Sequence, residues 1–268
     1  MNISLLITTY NRPDALEAVL TSIRFQSIKP QQVIVADDGS DDRTRILIEN
    51  FQDKYGISVD HVWHEDLGFR VAEIRNRALA QVKHEYVVMI DSDIVMDENF
   101  IKDHRDNAKI GFFLQGGRNL LSPELTDKIL LTPDVYPRFR YAEKGVEMRL
   151  EKRLLSFRAP WLTRLYKREL VNELSGIRTC NMSFFFNDLL AVNGFNNEFV
   201  GWGREDSELV VRLFNYGVKR YNIKFSALCY HLYHKEESRA SLPENEMILD
   251  ATIKKRLVRC ENGLTKFL

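Results

Sequence analysis

The feature that most narrows the fold is a rhythm in the first 115 or so residues, where short apolar runs rich in β-formers alternate with amphipathic helical patterns. The runs are ISLLI (3–7), VIVA (33–36), ISVDHVW (57–63), YVVMI (86–90) and GFFLQ (111–115). After the first, Pro13 opens a helix at a position where a missing N–H is harmless. Leu16, Val19, Leu20 and Ile23 then fall on one face at i, i+3, i+4, i+7. A second helix follows Ser40, the expected N-cap, with Asp41 and Asp42 in its first turn and Leu47, Ile48 and Phe51 facing inward. Val71, Ile74, Ala78 and Val82 predict a third. Strands that are apolar throughout need both sheet faces covered, so the chain reads as α/β, built from βαβ units around a mainly parallel sheet.

Beyond residue 116 the rhythm breaks. Residues 138–170 carry about ten Lys and Arg against few acids, interleaved with Leu, Phe, Trp and Tyr. RTCNMSFFF (178–186) reads as a strand, LVVRLF (209–214) as part of a helix, and KFSALCYHLYH (224–234) as a strand running into histidines. No repeat or Gly/Ser linker divides the chain. The expectation is one domain over 1–268, with the second half extending the first sheet: a nucleotide-binding half (1–116), a catalytic and acceptor half (117–240) and a tail (241–268).

Net charge is zero, with 38 basic and 38 acidic residues, so nothing draws the chain to nucleic acid. Cys180, Cys229 and Cys260 are odd in number and widely spaced, which favours a reducing compartment. No apolar run approaches the roughly 20 residues of a membrane span. MNISLLITTYNRP lacks a basic n-region and reads as a first strand, so a cytoplasmic location is expected.

Ligands of open α/β sheets bind beyond the carboxyl ends of the strands. Three strands end there in polar clusters: Thr8-Thr9-Tyr10-Asn11, Asp37-Asp38-Gly39-Ser40 and Asp91-Ser92-Asp93. The last is either a polar turn or a pair of oxygen ligands for Mg²⁺ or Mn²⁺. Asp37-Asp38 is either a turn before a helix or an acceptor for a base N–H. His231-x-x-His234 is either a packed or surface pair or the completion of a metal site begun by Asp93. In Gly201-Trp202-Gly203-Arg204-Glu205-Asp206, flanking glycines would let the indole stand exposed as a flat face for a sugar ring. Glu205 and Asp206 fall at a helix N-terminus, where the dipole is expected to keep a base deprotonated at neutral pH. The alternative is acidic capping beside a packed Trp.

ITTYNRPDALEAVLTSI, VIVADDGSDD, GFRVAEIRNRAL and YVVMIDSDIVM, in that order, resemble the inverting family-two glycosyltransferases of GT-A fold. VNGFNNEFVGWGREDSELVVRL resembles the catalytic segment shared by β-1,4-galactosyltransferases and chondroitin-polymerase-type transferases. The resemblance spans about 2–116 and 178–236. It implies a Rossmann-like GT-A sheet with a helical, basic C-terminal extension, and a metal-dependent enzyme moving a hexose or N-acetylhexosamine from a UDP-sugar to a glycan hydroxyl. Thr8, Tyr10, Asp38, Arg75, Asp91 and Ser92 would then bind the nucleotide-sugar. Asp93 with His234 and His231 would hold Mn²⁺ or Mg²⁺. Trp202, Gly203 and Arg204 would meet donor and acceptor sugars. Asp206 would be the base and Glu205 would hold a sugar hydroxyl. Arg204 departs from the small residue of many relatives.

The basic stretch 138–170 is either a solvated helical face or a peripheral contact with an anionic inner leaflet or lipid-linked glycan acceptor. That second reading fits lipopolysaccharide or capsule synthesis. Two other functions share the scaffold: a non-catalytic sugar-nucleotide or glycan-binding protein, and a nucleotidyltransferase. The latter calls for a Gly-rich basic loop after the first strand, and TTYNRP is not one.

Overall fold

The computed structural model describes residues 1–137, 144–147, 158–165, 169–170, 173–235 and 238–268. The expected alternation is present as β1 (Ile3–Thr9), α1 (Pro13–Arg24), β2 (Gln32–Asp37), α2 (Asp42–Tyr55), β3 (Asp60–Trp63), α3 (Val71–Leu79) and β4 (Tyr86–Asp91). There follow β5 (Ile94–Met96), α4 (Phe100–Asn107), β6 (Phe112–Gln115), β7 (Asn119–Leu121), α5 (Pro123–Leu130), β8 (Val146–Glu147), α6 (Pro160–Leu165) and β9 (Glu169–Leu170). The chain continues through β10 (Met182–Phe185), α7 (Phe186–Val192), α8 (Glu205–Tyr216), β11 (Lys219–Asn222), β12 (Cys229–His231) and α9 (Leu242–Lys255).

The main sheet has the order β3-β2-β1-β4-β10-β6-β11-β9 among the described residues. β1 to β4 are mutually parallel. β10 runs antiparallel to both β4 and β6, so β6 and its parallel neighbour β11 point the same way as the first four. Alternation along the strands sorts the core. Leu5, Ile7, Val35 and Val88 face Leu16, Val19 and Leu20 of α1 and Ile48 and Phe51 of α2. Leu6, Ile34, Val87 and Met89 face Ala72 and Ile74 of α3 and Leu209, Val210 and Leu213 of α8.

The second half does more than extend this sheet. β5, β12, β7 and β8 form a separate four-stranded sheet in that order. It packs on Ala15 and Ala18 of α1 through Val95, Leu121, Tyr230 and Leu232. Two of the expected strands are therefore shorter and differently placed. Within 178–186, Thr179–Asn181 is a 3-10 turn and only Met182–Phe185 is strand. Within 224–234 only Cys229–His231 is strand, and it joins the second sheet. The third strand starts at Asp60 rather than 57, and the third helix stops at Leu79, short of Val82. The N-cap of α2 is Asp41, not Ser40: the Asp41 carboxylate accepts from the Arg43 N–H. Ser40 instead accepts the Asn11 N–H and donates its own N–H to Asp37. Most of the basic stretch 138–170 lies outside the described residues.

Candidate active site

Parallel pairing puts the three polar clusters on one rim. Thr8 lies opposite Asp91 across β1 and β4 and opposite Ala36 across β1 and β2, one residue before Asp37. Asp37 and Asp38 are both buried, and each is held by a histidine that sequence reasoning overlooked. His61 Nε2 lies 2.9 Å from Asp37 Oδ2, and His64 Nε2 lies 2.7 Å from Asp38 Oδ1. Asp38 Oδ2 also accepts the Arg70 N–H at 2.9 Å, which anchors the loop before α3. Tyr10 is exposed at the mouth, its hydroxyl donating to Asp66 at 3.0 Å. Asn11, at φ 48°, ties the rim together by accepting the Asp41 N–H. Asparagine tolerates that left-handed geometry better than most residues.

The second apolar run after Asp91-Ser92-Asp93 is explained by β5. The chain leaves the main sheet at Asp91, where the Ser92 N–H still donates to the Thr8 carbonyl at 2.8 Å, and enters the second sheet at Ile94. Antiparallel pairing sets His231 opposite Ile94, and the Leu232 N–H donates to the Asp93 carbonyl at 2.9 Å. That register delivers both histidines to one carboxylate: His234 Nε2 is 3.1 Å and His231 Nε2 3.4 Å from Asp93 Oδ2. Ligand atoms of Asp93, His231 and His234 all lie within 4.8 Å of one another.

These three residues fit a divalent cation. Asp93 Oδ1 is buried and has no hydrogen-bond partner among the described residues. His234 Nδ1 sits 2.7 Å from the Lys235 carbonyl. A carbonyl only accepts, so Nδ1 carries the proton, and in a neutral ring the Nε2 lone pair faces the Asp93 carboxylate. Two acceptors at that separation call for a positive charge between them, a proton or a metal ion. Fixing the tautomer through Nδ1 is how ligand histidines are usually oriented. The hydrogen bond to Asp93 raises the pKa of His234, whereas burial takes His231 down to about 4, leaving it neutral and available to a metal. Burial works to raise Asp93, but the His234 hydrogen bond and the adjacent imidazoles hold it below the usual carboxylate value.

Arg75 is buried, and it joins the two halves of the site. Its Nε donates to Thr8 Oγ1, one terminal nitrogen to Asp91 and the other to Glu205, each at 3.1 Å. Burial opposes its charge, but the carboxylates of Asp91 and Glu205 more than restore it. Asp91 is raised, first by burial and then by Asp93, with Arg75 opposing.

Asp206 departs from expectation. It does sit at the N-terminus of α8, and its Oδ1 accepts the Ser207 N–H at 2.6 Å. Even so, its pKa is pushed up to about 7, by burial first and then by Glu205, with Arg75 pulling the other way. Desolvation and a like charge outweigh the helix terminus here.

The turn before α8 is strongly conformed: Gly201, Gly203 and Arg204 take φ of 76°, 108° and 76°. Trp202 between them is 38% exposed, with the Arg239 guanidinium 5.4 Å from its ring centroid. Gly201 donates to the Phe69 carbonyl at 2.9 Å, tying the turn to the loop before α3. Arg204 pairs with Glu246 of α9, its Nε at 2.9 Å. The tail therefore braces the site, and nothing in its sequence pattern had suggested this. Asn245 reaches the Val200 carbonyl at 3.3 Å, and Thr252 donates to Glu208, whose carboxylate clamps the fully buried Arg212. Arg118, in a Gly-Gly-Arg turn after β6, also went unnoticed. The one available signal was a basic residue at the carboxyl end of a sheet strand.

The sheet carries at its strand ends a cluster of Asp93, His231 and His234 that could hold a cation, and Arg75 ties that rim to the start of α8. Residues 4–174 match the family model described as glycosyl transferase family 2, and residues 162–235 match one described as the N-terminal domain of galactosyltransferase. The chain belongs to glycosyltransferase family 2. It is 28% identical over 235 residues to validoxylamine A glucosyltransferase of Streptomyces hygroscopicus subsp. limoneus, covering 81% of this chain and 48% of that one. It is 26% identical over 256 residues to the chondroitin synthase of Escherichia coli, covering 85% and 34%. The chain thus spans half or less of the length of these relatives. The crystal structure of S. aureus TarS 1–349 in complex with UDP-GlcNAc superposes with a TM-score of 0.58 at 18% identity, covering 94% of this chain and 66% of that one. The shared fold is GT-A.

Proposed function

We propose that this chain is a metal-dependent, inverting glycosyltransferase that moves a hexose or N-acetylhexosamine from a UDP-sugar to a glycan hydroxyl. One observation carries the proposal. Arg75 joins Asp91, beside the Asp93–His231–His234 cluster, to Glu205, beside a half-buried Asp206 whose pKa lies near neutrality. The proposed cation site and the proposed general base are thereby linked through the two terminal nitrogens of one guanidinium.

In this scheme Thr8, Tyr10 and Asp38 line the uridine pocket and Ser92 with Asp91 borders the ribose or donor sugar. Trp202 and Gly203 offer the acceptor platform. The acceptor hydroxyl oxygen bonds to the anomeric carbon while its proton passes to Asp206. The bond from that carbon to the diphosphate oxygen breaks, and its electron pair leaves with UDP. General-base help of this kind is worth ~10²–10⁴-fold. A single base with no enzyme nucleophile at the anomeric carbon gives inversion. Asp93, His231 and His234 would hold Mn²⁺ or Mg²⁺, which supplies charge neutralisation at the diphosphate.

The complex of TarS with UDP-GlcNAc supports a uridine donor, and the chondroitin synthase relationship supports polysaccharide synthesis, such as lipopolysaccharide or capsule. No helix among the described residues is long and apolar enough to cross a membrane. A cytoplasmic enzyme meeting a lipid-linked acceptor at the inner leaflet through 138–170 is consistent with that. One domain over 1–268 is proposed. Purified protein with Mn²⁺ and a panel of UDP-sugars is expected to release UDP slowly from one of them without acceptor. Release from GDP-sugars alone would overturn the uridine assignment, and tight binding without any release would mark a non-catalytic binding protein.

A further inference from the structure

β6 runs parallel to β4, so the turn Gly116-Gly117-Arg118 emerges on the same rim as Asp91. The turn is tightly determined. The Gly116 N–H donates to the Asn181 carbonyl at 2.9 Å, and Asn181 Nδ2 donates to the Gly117 carbonyl at 2.7 Å. A Cβ at Gly116 would collide with the Asn181 side chain. Asn181 is itself locked by His104, whose Nε2 lies 2.9 Å from its Oδ1. β7 then pairs with β12, Leu120 opposite His231, which places Arg118 at the flank of the cation cluster.

Arg118 makes no ion pair among the described residues. One terminal nitrogen reaches only the Cys180 sulfur, at 3.7 Å, and its Nε is buried without a hydrogen-bond partner. A guanidinium is an always-charged fork built for carboxylate or phosphate oxygens, and leaving its donors unmet inside a protein is costly. Its charge acts on Asp91, Asp93 and His231, in keeping with a position beside them. The exposed Arg178, one turn before β10, adds a second positive field on His231.

We propose that Arg118 is a diphosphate-binding residue: its fork takes phosphate oxygens of the nucleotide donor beside the cation held by Asp93, His231 and His234. This rests on the sugar-nucleotide function proposed above and adds a ligand contact to it. The rival is a purely structural role, in which Arg118 only offsets the negative charge of Asp91 and Asp93. The two differ in what they do to a phosphate series.

Calorimetric titration of wild type and Arg118→Gln with uridine, UMP and UDP, in Mn²⁺, separates them. Removing charge-assisted hydrogen bonds should weaken UDP on the order of 10- to 100-fold while uridine affinity holds. Arg118→Lys, with a point charge but no fork, should fall between. An unchanged ratio of UDP to uridine affinity in Arg118→Gln, with Mn²⁺ alone binding more tightly, would overturn the proposal in favour of charge compensation. Uridine binding also reports that the variant is folded. Should wild type bind neither uridine nor UDP, the donor assignment itself falls, which is a different outcome from an unaltered ratio.

Discussion

At Asp206 two influences compete, and the structure decides between them. The helix terminus favours the anion, but burial and Glu205 favour the acid and set a pKa of about 7. In the proposed role of base it must be ionised, so kcat/KM of the free enzyme should rise with pH through about 7 and level off above it. Asp206→Asn should lose turnover by ~10²–10⁴-fold with UDP affinity nearly intact. An equal loss of UDP affinity would place this residue in donor binding instead. The same shift has a thermodynamic sign. A carboxyl raised from 3.8 to about 7 is neutral in both states at low pH, and its ionisation progressively destabilises the fold between those values and fully above them. Asp206→Asn should therefore raise Tm at pH 8 and leave it unchanged below pH 4, as read by calorimetry. Arg75 opposes the upward shift, so Arg75→Gln should move the activity limb to higher pH and Arg75→Lys should restore part of it. A limb that stays put in Arg75→Gln would contradict that coupling.

At the scale of elements, the turn before α8 depends on glycine and on a helix far along the chain. A Cβ on Gly201 would lie 2.5 Å from Ser241 Cβ while φ stays at 76°. Gly201→Ala should cost about 1–3 kcal/mol and lower kcat, because the displaced turn carries Trp202 and the start of α8. Adding Ser241→Gly should recover the steric part only, and full recovery in denaturant melts would show that backbone strain is absent. These dependences mark where the sequence stops being legible. β1 to β4 and their helices were readable because periodicity and capping are local. Asp91 and Asp93 stood out because they interrupt apolar runs, and Asp206 because it opens a helix after Gly-Trp-Gly. Asp41 displaced Ser40 as N-cap because Ser40 is engaged by Asn11 across the rim, a contact 29 residues away in sequence. β12 is three residues long and borrows its partners from Ile94–Met96 and Asn119–Leu121, so no window of sequence contains its reason to be a strand. Arg118 escaped for the same cause: its position follows from Asn181, not from its neighbours.

For the molecule as a whole, the proposed cation site would link stability to metal. Mn²⁺ should raise the wild-type Tm in proportion to the logarithm of its concentration above Kd and leave Asp93→Ala unmoved. Equal shifts in both would locate the ion elsewhere. The way β12 lies between β5 and β7 also has a bearing on synthesis. Asp93 leaves the ribosome some 140 residues before His234 (a separation fixed by their numbers), so a nascent chain holds one of the three cluster residues until position 231 emerges. On the proposed function, products truncated before His231 would keep the strands of the main sheet yet lack both imidazoles, leaving Asp93 without its partners for a metal.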